Sequence, residues 1–174
     1  MVTLLAALLP KGNRVAFLGM KPDWEDAFGR SLRAAAEKLG IGLTPAFHEP
    51  RDYSDAFSKI AREHPDAVVV ANTPINFANR ELIVQFATKN HLPSVYSRRE
   101  YVEAGGLLSY GADIKALLVR GGDFVDKILR GARPSDLPIE QPTKFELIIN
   151  RSTANGLSIN IPASLLATTD EVIE

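Results

Sequence analysis

Asp66-Ala67-Val68-Val69-Val70-Ala71-Asn72-Thr73-Pro74-Ile75-Asn76 is the stretch on which the fold turns. Ala67 to Ala71 is an unbroken apolar run, β-branched at its centre, set between a charged residue and a polar loop. Such a run describes a short strand buried on both faces, as a parallel sheet requires. The loop Asn72 to Asn76 leads into Ala78 to Lys89, which reads as a helix. Working outward, the same cycle recurs. Upstream, Arg14 to Gly19 is a strand and Met20 to Asp23 a loop. Asp23 is a plausible N-cap for a helix from Trp24 to Leu39, stopped by Gly40. Leu43 to Phe47 is again a strand, and Tyr53 to Glu63 a helix with Ala56, Phe57, Ile60 and Ala61 on one face. Downstream, Pro93 opens the short strand Ser94-Val95-Tyr96. Strand and helix alternating at this pitch predict an α/β fold, a parallel-sheet three-layer sandwich.

Beyond Tyr96 the rhythm changes. Ser97 to Glu103 is polar and charged, and Ser97 to Tyr101 reads as a loop. Leu107 to Gly111 is a short strand between glycines. Asp113 to Leu129 predicts a long helix whose apolar stripe is Ile114, Leu117, Leu118, Gly121, Phe124, Val125, Ile128 and Leu129, capped by Gly131. Arg133 to Pro138 is a linker punctuated by two prolines. Phe145 to Asn150 is a strand, Ser152 to Gly156 a helical turn, and Pro162 starts a last short helix, Ala163 to Ala167. Met1 to Pro10 reads as the last turns of an apolar helix. A signal peptide is not expected there, because the run lacks a positive n-region and Lys11-Gly12-Asn13-Arg14 stands where small cleavage-site residues belong.

The chain has 174 residues, 45% hydrophobic and 24% charged, enough for one compact domain with an ordinary core. Its net charge of -1, from 20 basic and 21 acidic side chains, leaves no electrostatic footprint for nucleic acid. There is no cysteine, which excludes disulfides and thiolate catalysis. His48, His64 and His91 have no metal-ligand spacing to one another. Gly105-Gly106 with Gly111 lacks the strand-glycine-helix order of a dinucleotide site, and neither a phosphate-cradling loop nor a nucleophile elbow is present. The expectation is therefore a protein that is not an enzyme and that needs no cofactor.

What remains is three polar loops at the carboxyl ends of predicted parallel strands, where open α/β sheets bind ligands. Met20, Asp23 and Trp24 come from the first, Asn72, Thr73 and Asn76 from the second, and Ser97, Arg98 and Glu100 from the third. Neutral donors and acceptors, helix N-termini after Asp23 and Asn76, Arg98 or Arg99 for an anion, and Glu100 for an ammonium would suit a small polar or zwitterionic solute. Trp24 or Tyr110 would stack on a ring.

The tail carries a resemblance. Gly105-Gly106-Leu107-Leu108-Ser109-Tyr110-Gly111-Ala112-Asp113, then Lys127-Ile128-Leu129-Arg130-Gly131, then Asp136-Leu137-Pro138-Ile139-Glu140, then Ile161-Pro162-Ala163-Ser164-Leu165-Leu166 follow one another as in the ABC transporter substrate-binding family that includes tryptophan- and tyrosine-type binders. The resemblance implies a type I periplasmic-binding fold, two α/β lobes joined by crossing strands, with the solute in the cleft. On that reading residues 1–104 are a second-lobe α/β domain. Residues 105–138 cross towards the first lobe, and 139–174 return as a strand and tail. The resemblance further implies a transporter permease as partner and a periplasmic location. Glu100 is the nearest candidate for the acidic position that meets an amino group. If residues 107 to 131 reach towards a first lobe, their apolar stripe lacks cover, and exchange or packing of that segment between two copies would make a homodimer. A flavodoxin-like α/β enzyme would explain the alternation equally well but not the long tail, and the effector-binding core of a regulator shares the lobe architecture but has no helix-turn-helix or basic patch here to support it.

Overall fold

The computed structural model describes residues 1–9 and 12–174, so Pro10 and Lys11, the end of the expected N-terminal helix and the residue after it, lie outside the described residues. Four strands set the frame: β1 (Arg14–Gly19), β2 (Gly42–Phe47), β3 (Ala67–Val70) and β4 (Ser94–Tyr96). They run parallel, with β1 between β2 and β3, and β4 beyond β3. Then follow β5 (Leu108–Ala112), β6 (Phe145–Asn150) and β7 (Glu171–Ile173), completing a seven-stranded sheet of order β2-β1-β3-β4-β5-β6-β7. The fold is the predicted α/β sandwich with one refinement. β6 is antiparallel to β5, and β7 runs parallel to β6. The chain leaves β5 at the sheet's carboxyl edge and re-enters from that same edge, so the returning strand must point the other way. β7, three residues long, was not anticipated; its alternation is too brief to register.

The helices are α1 (Val2–Leu8), α2 (Lys21–Glu25), α3 (Ala27–Lys38), α4 (Ser54–Glu63), α5 (Pro74–Ala78), α6 (Arg80–Lys89), α7 (Arg99–Glu103), α8 (Ile114–Leu129), α9 (Arg151–Gly156) and α10 (Ala163–Leu166), and all but α8 pack about the sheet. Because strand side chains alternate, β1 feeds two cores. Val15 and Phe17 join Leu5 of α1, Leu32 of α3 and Val69 of β3 on one face. Ala16 and Leu18 join Ile60 of α4, Ile83 of α6 and Val68 of β3 on the other. All four residues of β3 are buried, as their unbroken apolar run demands.

Three local expectations are corrected. The helix expected from Trp24 to Leu39 is two helices. Asp23 is not an N-cap but lies inside α2, its Oδ2 accepting the Met20 amide at 2.8 Å. Asp26 begins α3 instead, its extended backbone breaking the run and its Oδ1 accepting the Gly29 amide at 2.7 Å. Asn76 does not precede a helix either; Thr73 caps α5, accepting the Asn76 amide at 3.1 Å. The expected loop after β4 holds a helix, α7, which begins at Arg99.

The segment expected to start crossing at residue 105 stays in the sheet for longer. Leu107 and Leu108 are fully buried, and β5 pairs with β4 on one side and β6 on the other. The limb departs only at Asp113. Its N-cap carboxylate accepts the Ala116 amide at 3.0 Å and the Lys144 ammonium at 2.8 Å, while its own amide donates to the Lys144 carbonyl at 3.1 Å. Outgoing and returning chains are thus clamped together where they leave the core. None of the sixteen residues of α8 beyond that clamp is buried.

Candidate functional site

The carboxyl edge of the parallel strands forms a rim. Asn72 follows β3, Ser97 and Arg98 follow β4, and Tyr110 lies on β5 where that strand overhangs the edge. These four side chains line one cavity of about 440 Å³ with Met1, Phe28, Gly111, Ala112, Ile114 and Phe145. Tyr110 stacks on Phe145 at 5.8 Å between ring centroids, and both rings are exposed. One side of the cavity is therefore apolar and aromatic, and the other offers an amide, a hydroxyl and a guanidinium.

Arg98 is held in place before any ligand arrives. Its guanidinium lies 3.8 Å from the centroid of the Phe77 ring and donates to both oxygens of Glu100, at 2.9 and 3.3 Å. Burial, the largest single influence, works to raise the Glu100 carboxyl, but the Arg98 hydrogen bonds, a backbone hydrogen bond and the positive charges of Arg98 and Arg80 together outweigh it, and the group sits below its ordinary value. The charge on Arg98 is thus balanced by a fixed carboxylate. Glu100 faces a second cavity of about 240 Å³ behind the β5–β6 ribbon, which also contains Ser109, Asp113, Glu146 and Ile148. Ser97, Arg98, Gly111, Ala112 and Ile114 line both cavities.

Gly111 is what lets the ribbon lie so low. A Cβ there would run into the Ser97 carbonyl oxygen, so only glycine allows β5 to pass against the loop after β4. That contact seats Tyr110 over the rim.

Several sequence candidates lie elsewhere. Trp24 is packed edge-on against Phe17 at 5.2 Å and Phe47 at 6.4 Å, with Arg33 over its ring at 4.6 Å. Met20, Asp23 and Trp24 line neither rim cavity. Thr73 is occupied as the α5 cap. Asn76 is wholly buried; its Oδ1 accepts from the Tyr53 hydroxyl at 2.8 Å and its Nδ2 donates to the Ala71 carbonyl at 3.0 Å, so it presents no free polar atom to the rim. Sequence reasoning missed Phe28 and Phe145. Phe28 reads as one more apolar residue of a helix, and Phe145 reaches the rim only because β6 runs antiparallel. Among the described residues, no group of three or more metal-ligating side chains is gathered.

A three-layer α/β unit with a polar and aromatic rim at the carboxyl edge of its strands has its rim where open α/β sheets hold ligands. The chain belongs to the ABC transporter substrate binding protein family, whose model matches residues 1–173. No curated protein matches it. Among solved structures, it is similar to an ABC domain in complex with L-Trp from Streptococcus pneumoniae, with 26% identity and a TM-score of 0.88 over 99% of this chain and 60% of that one. It is also similar to a conserved domain protein from Vibrio cholerae, at 27% identity and a TM-score of 0.84, over 98% of this chain and 58% of that one. A ligand-free, open substrate-binding protein with adhesive properties from Clostridium difficile shares the fold, at 20% identity and a TM-score of 0.70, over 99% and 58% of the two chains. This chain therefore spans about three-fifths of the length of the structures it matches.

Proposed function

We propose that this chain is a solute-capturing lobe of an ABC transporter substrate-binding protein and takes a small polar or amino-acid-like ligand with an aromatic part. The observation that carries this reading is the convergence of Asn72, Ser97, Arg98 and Tyr110 on one rim cavity. Tyr110 and Phe145 offer a flat apolar surface, Arg98 a carboxylate partner, and Asn72 and Ser97 neutral hydrogen bonds. The L-Trp held by the Streptococcus pneumoniae structure supports that ligand class.

Capture rather than catalysis suits the site, since the polar groups at the rim include no nucleophile paired with a base. Residues 1–104 and 139–174, with β5 between them in the sheet, act as one lobe, and the chain from Asp113 to Pro138 crosses towards a further lobe that would supply the opposite wall. With one wall alone, binding is weak. The cognate partner is a transporter permease, and the place of work is the outer side of the membrane, periplasmic or extracellular. No helix among the described residues is long and apolar enough to cross a membrane. Where the apolar stripe of α8 is otherwise uncovered, it pairs with a second copy, making a homodimer.

Weak binding is visible in amide chemical shifts. Titrating the chain with L-tryptophan should move the amides of Asn72, Ser97, Arg98 and Tyr110, and Arg98→Ala should abolish those movements. Shifts confined to the opposite, amino edge of the sheet would refute the reading.

A further inference from the structure

Beneath the rim lies a buried polar assembly that the ligand reading leaves without a role. Tyr53, at the start of α4, is 4% exposed, and its hydroxyl donates to Asn76 Oδ1 at 2.8 Å. Asn76, 0% exposed, passes the connection on through Nδ2 to the Ala71 carbonyl at 3.0 Å. The same carbonyl also accepts the Thr73 amide at 3.1 Å, and Thr73 Oγ1 accepts the Asn76 amide at 3.1 Å. These bonds close a knot around residues 71–76, and Asn72 is the residue the knot holds out at the rim.

The assembly continues to the other edge loops. His48 stacks on the Tyr53 ring at 4.1 Å, nearly parallel, and its backbone amide donates to the Gly19 carbonyl at 3.1 Å. The ends of β1, β2 and β3 are thus linked through His48 and Tyr53 together. Burial pushes the Tyr53 hydroxyl up to about 12, so it stays protonated and keeps donating at neutral pH. A leucine facing a phenylalanine would fill such a space without burying polar groups, and such exchanges are often neutral for stability. What the polar pair adds is direction: a fixed geometry for the backbone it grips.

We propose that Tyr53 and Asn76 are positioning residues, a buried brace that fixes the Asn72 loop at the rim. The brace is a property of the free chain; its value for binding rests on the ligand reading above. The test is amide hydrogen exchange on the ligand-free chain with Tyr53→Phe, which keeps the ring and removes the hydroxyl. Exchange at Thr73, Asn76 and Phe77, the hydrogen-bonded amides of the loop, should quicken roughly tenfold or more, while Val68 to Val70 of β3 stay near their original rates. Unchanged rates in the loop would overturn the proposal. So would equal quickening in loop and strand, which marks general loosening only.

Should Tyr53→Phe not fold, a double variant with Asn76→Leu removes both members of the pair, and the Ala71 carbonyl keeps the Thr73 amide. The brace requires that this variant recover stability yet still show fast loop exchange; native exchange in it would sink the idea. L-tryptophan titration separates the two claims. If the original chain shows no response at all, the ligand reading fails, while the exchange rates still decide the brace.

Discussion

Strand β3 and one stripe of helix α8 are both apolar, and the structure treats them in opposite ways. Every side chain of β3 is buried between two helical layers. In α8 no residue is buried, and Leu118 and Leu129 stand 72% and 82% exposed. The lesson is that apolar patterning specifies a face to be covered, not the cover. β3 finds α1 and α3 on one side and α4 and α6 on the other within the same chain. For α8 the clamp at Asp113 and Lys144 carries the helix away from the sheet, and its stripe is left facing outward.

The largest test of that contrast is a pair of truncations. Phe17→Ala, at the centre of the core, should cost about 3–5 kcal/mol in urea denaturation. Leu118→Ala on α8 should stay within about 0.5 kcal/mol, because there is no packing to lose. Comparable losses from both would mean that α8 is covered in solution. Next comes the junction between the regions. Gly111→Ala must lift β5 off the Ser97 carbonyl, and overpacking of this kind costs about 1–3 kcal/mol in the same assay. A neutral result would show the ribbon to be loosely seated.

Association should respond more modestly. If the stripe pairs with a second copy, Leu118→Ser should weaken dimerisation by about 1–2 kcal/mol in sedimentation equilibrium. A chain that stays monomeric at high concentration would remove the homodimer from the account.

The smallest effect concerns acid. Hydrogen bonds from the Lys144 ammonium, foremost, and from the Ala116 amide hold the Asp113 carboxyl below its ordinary 3.8. A carboxyl lowered in the folded state stabilises fully above that ordinary value and loses its contribution as pH falls through the lowered one. Amides in the first turn of α8 should therefore lose protection in strong acid before those of β3, as amide exchange would show. Asp113→Asn retains an oxygen for the cap but should flatten this dependence.

Much of the architecture could be read from residues with a strictly local meaning. The β-branched run at Val68 to Val70, the stop at Gly40 and the strand Ser94 to Tyr96 each state their own conformation. The rim was legible in part for the same reason: Asn72, Ser97 and Arg98 are polar residues directly after apolar strands. Trp24 and Asn76 were drawn towards the rim by the same logic, but the structure places them elsewhere. Their direction depends on partners far along the chain. Phe47 and Arg33 frame Trp24, and Tyr53 claims Asn76.

The sequence by itself determined the alternation of strand and helix, the identity of the fully buried strands, and the edge of the sheet at which polar loops gather. These follow from periodicity and backbone preference, which act over a few residues. Only the tertiary structure decided that β6 returns antiparallel, bringing Phe145 beside Tyr110. It alone decided that Asn76 turns inward and that α8 stands clear of the core. Those outcomes depend on which distant groups meet, and each is settled by competition among contacts that no local stretch of chain contains.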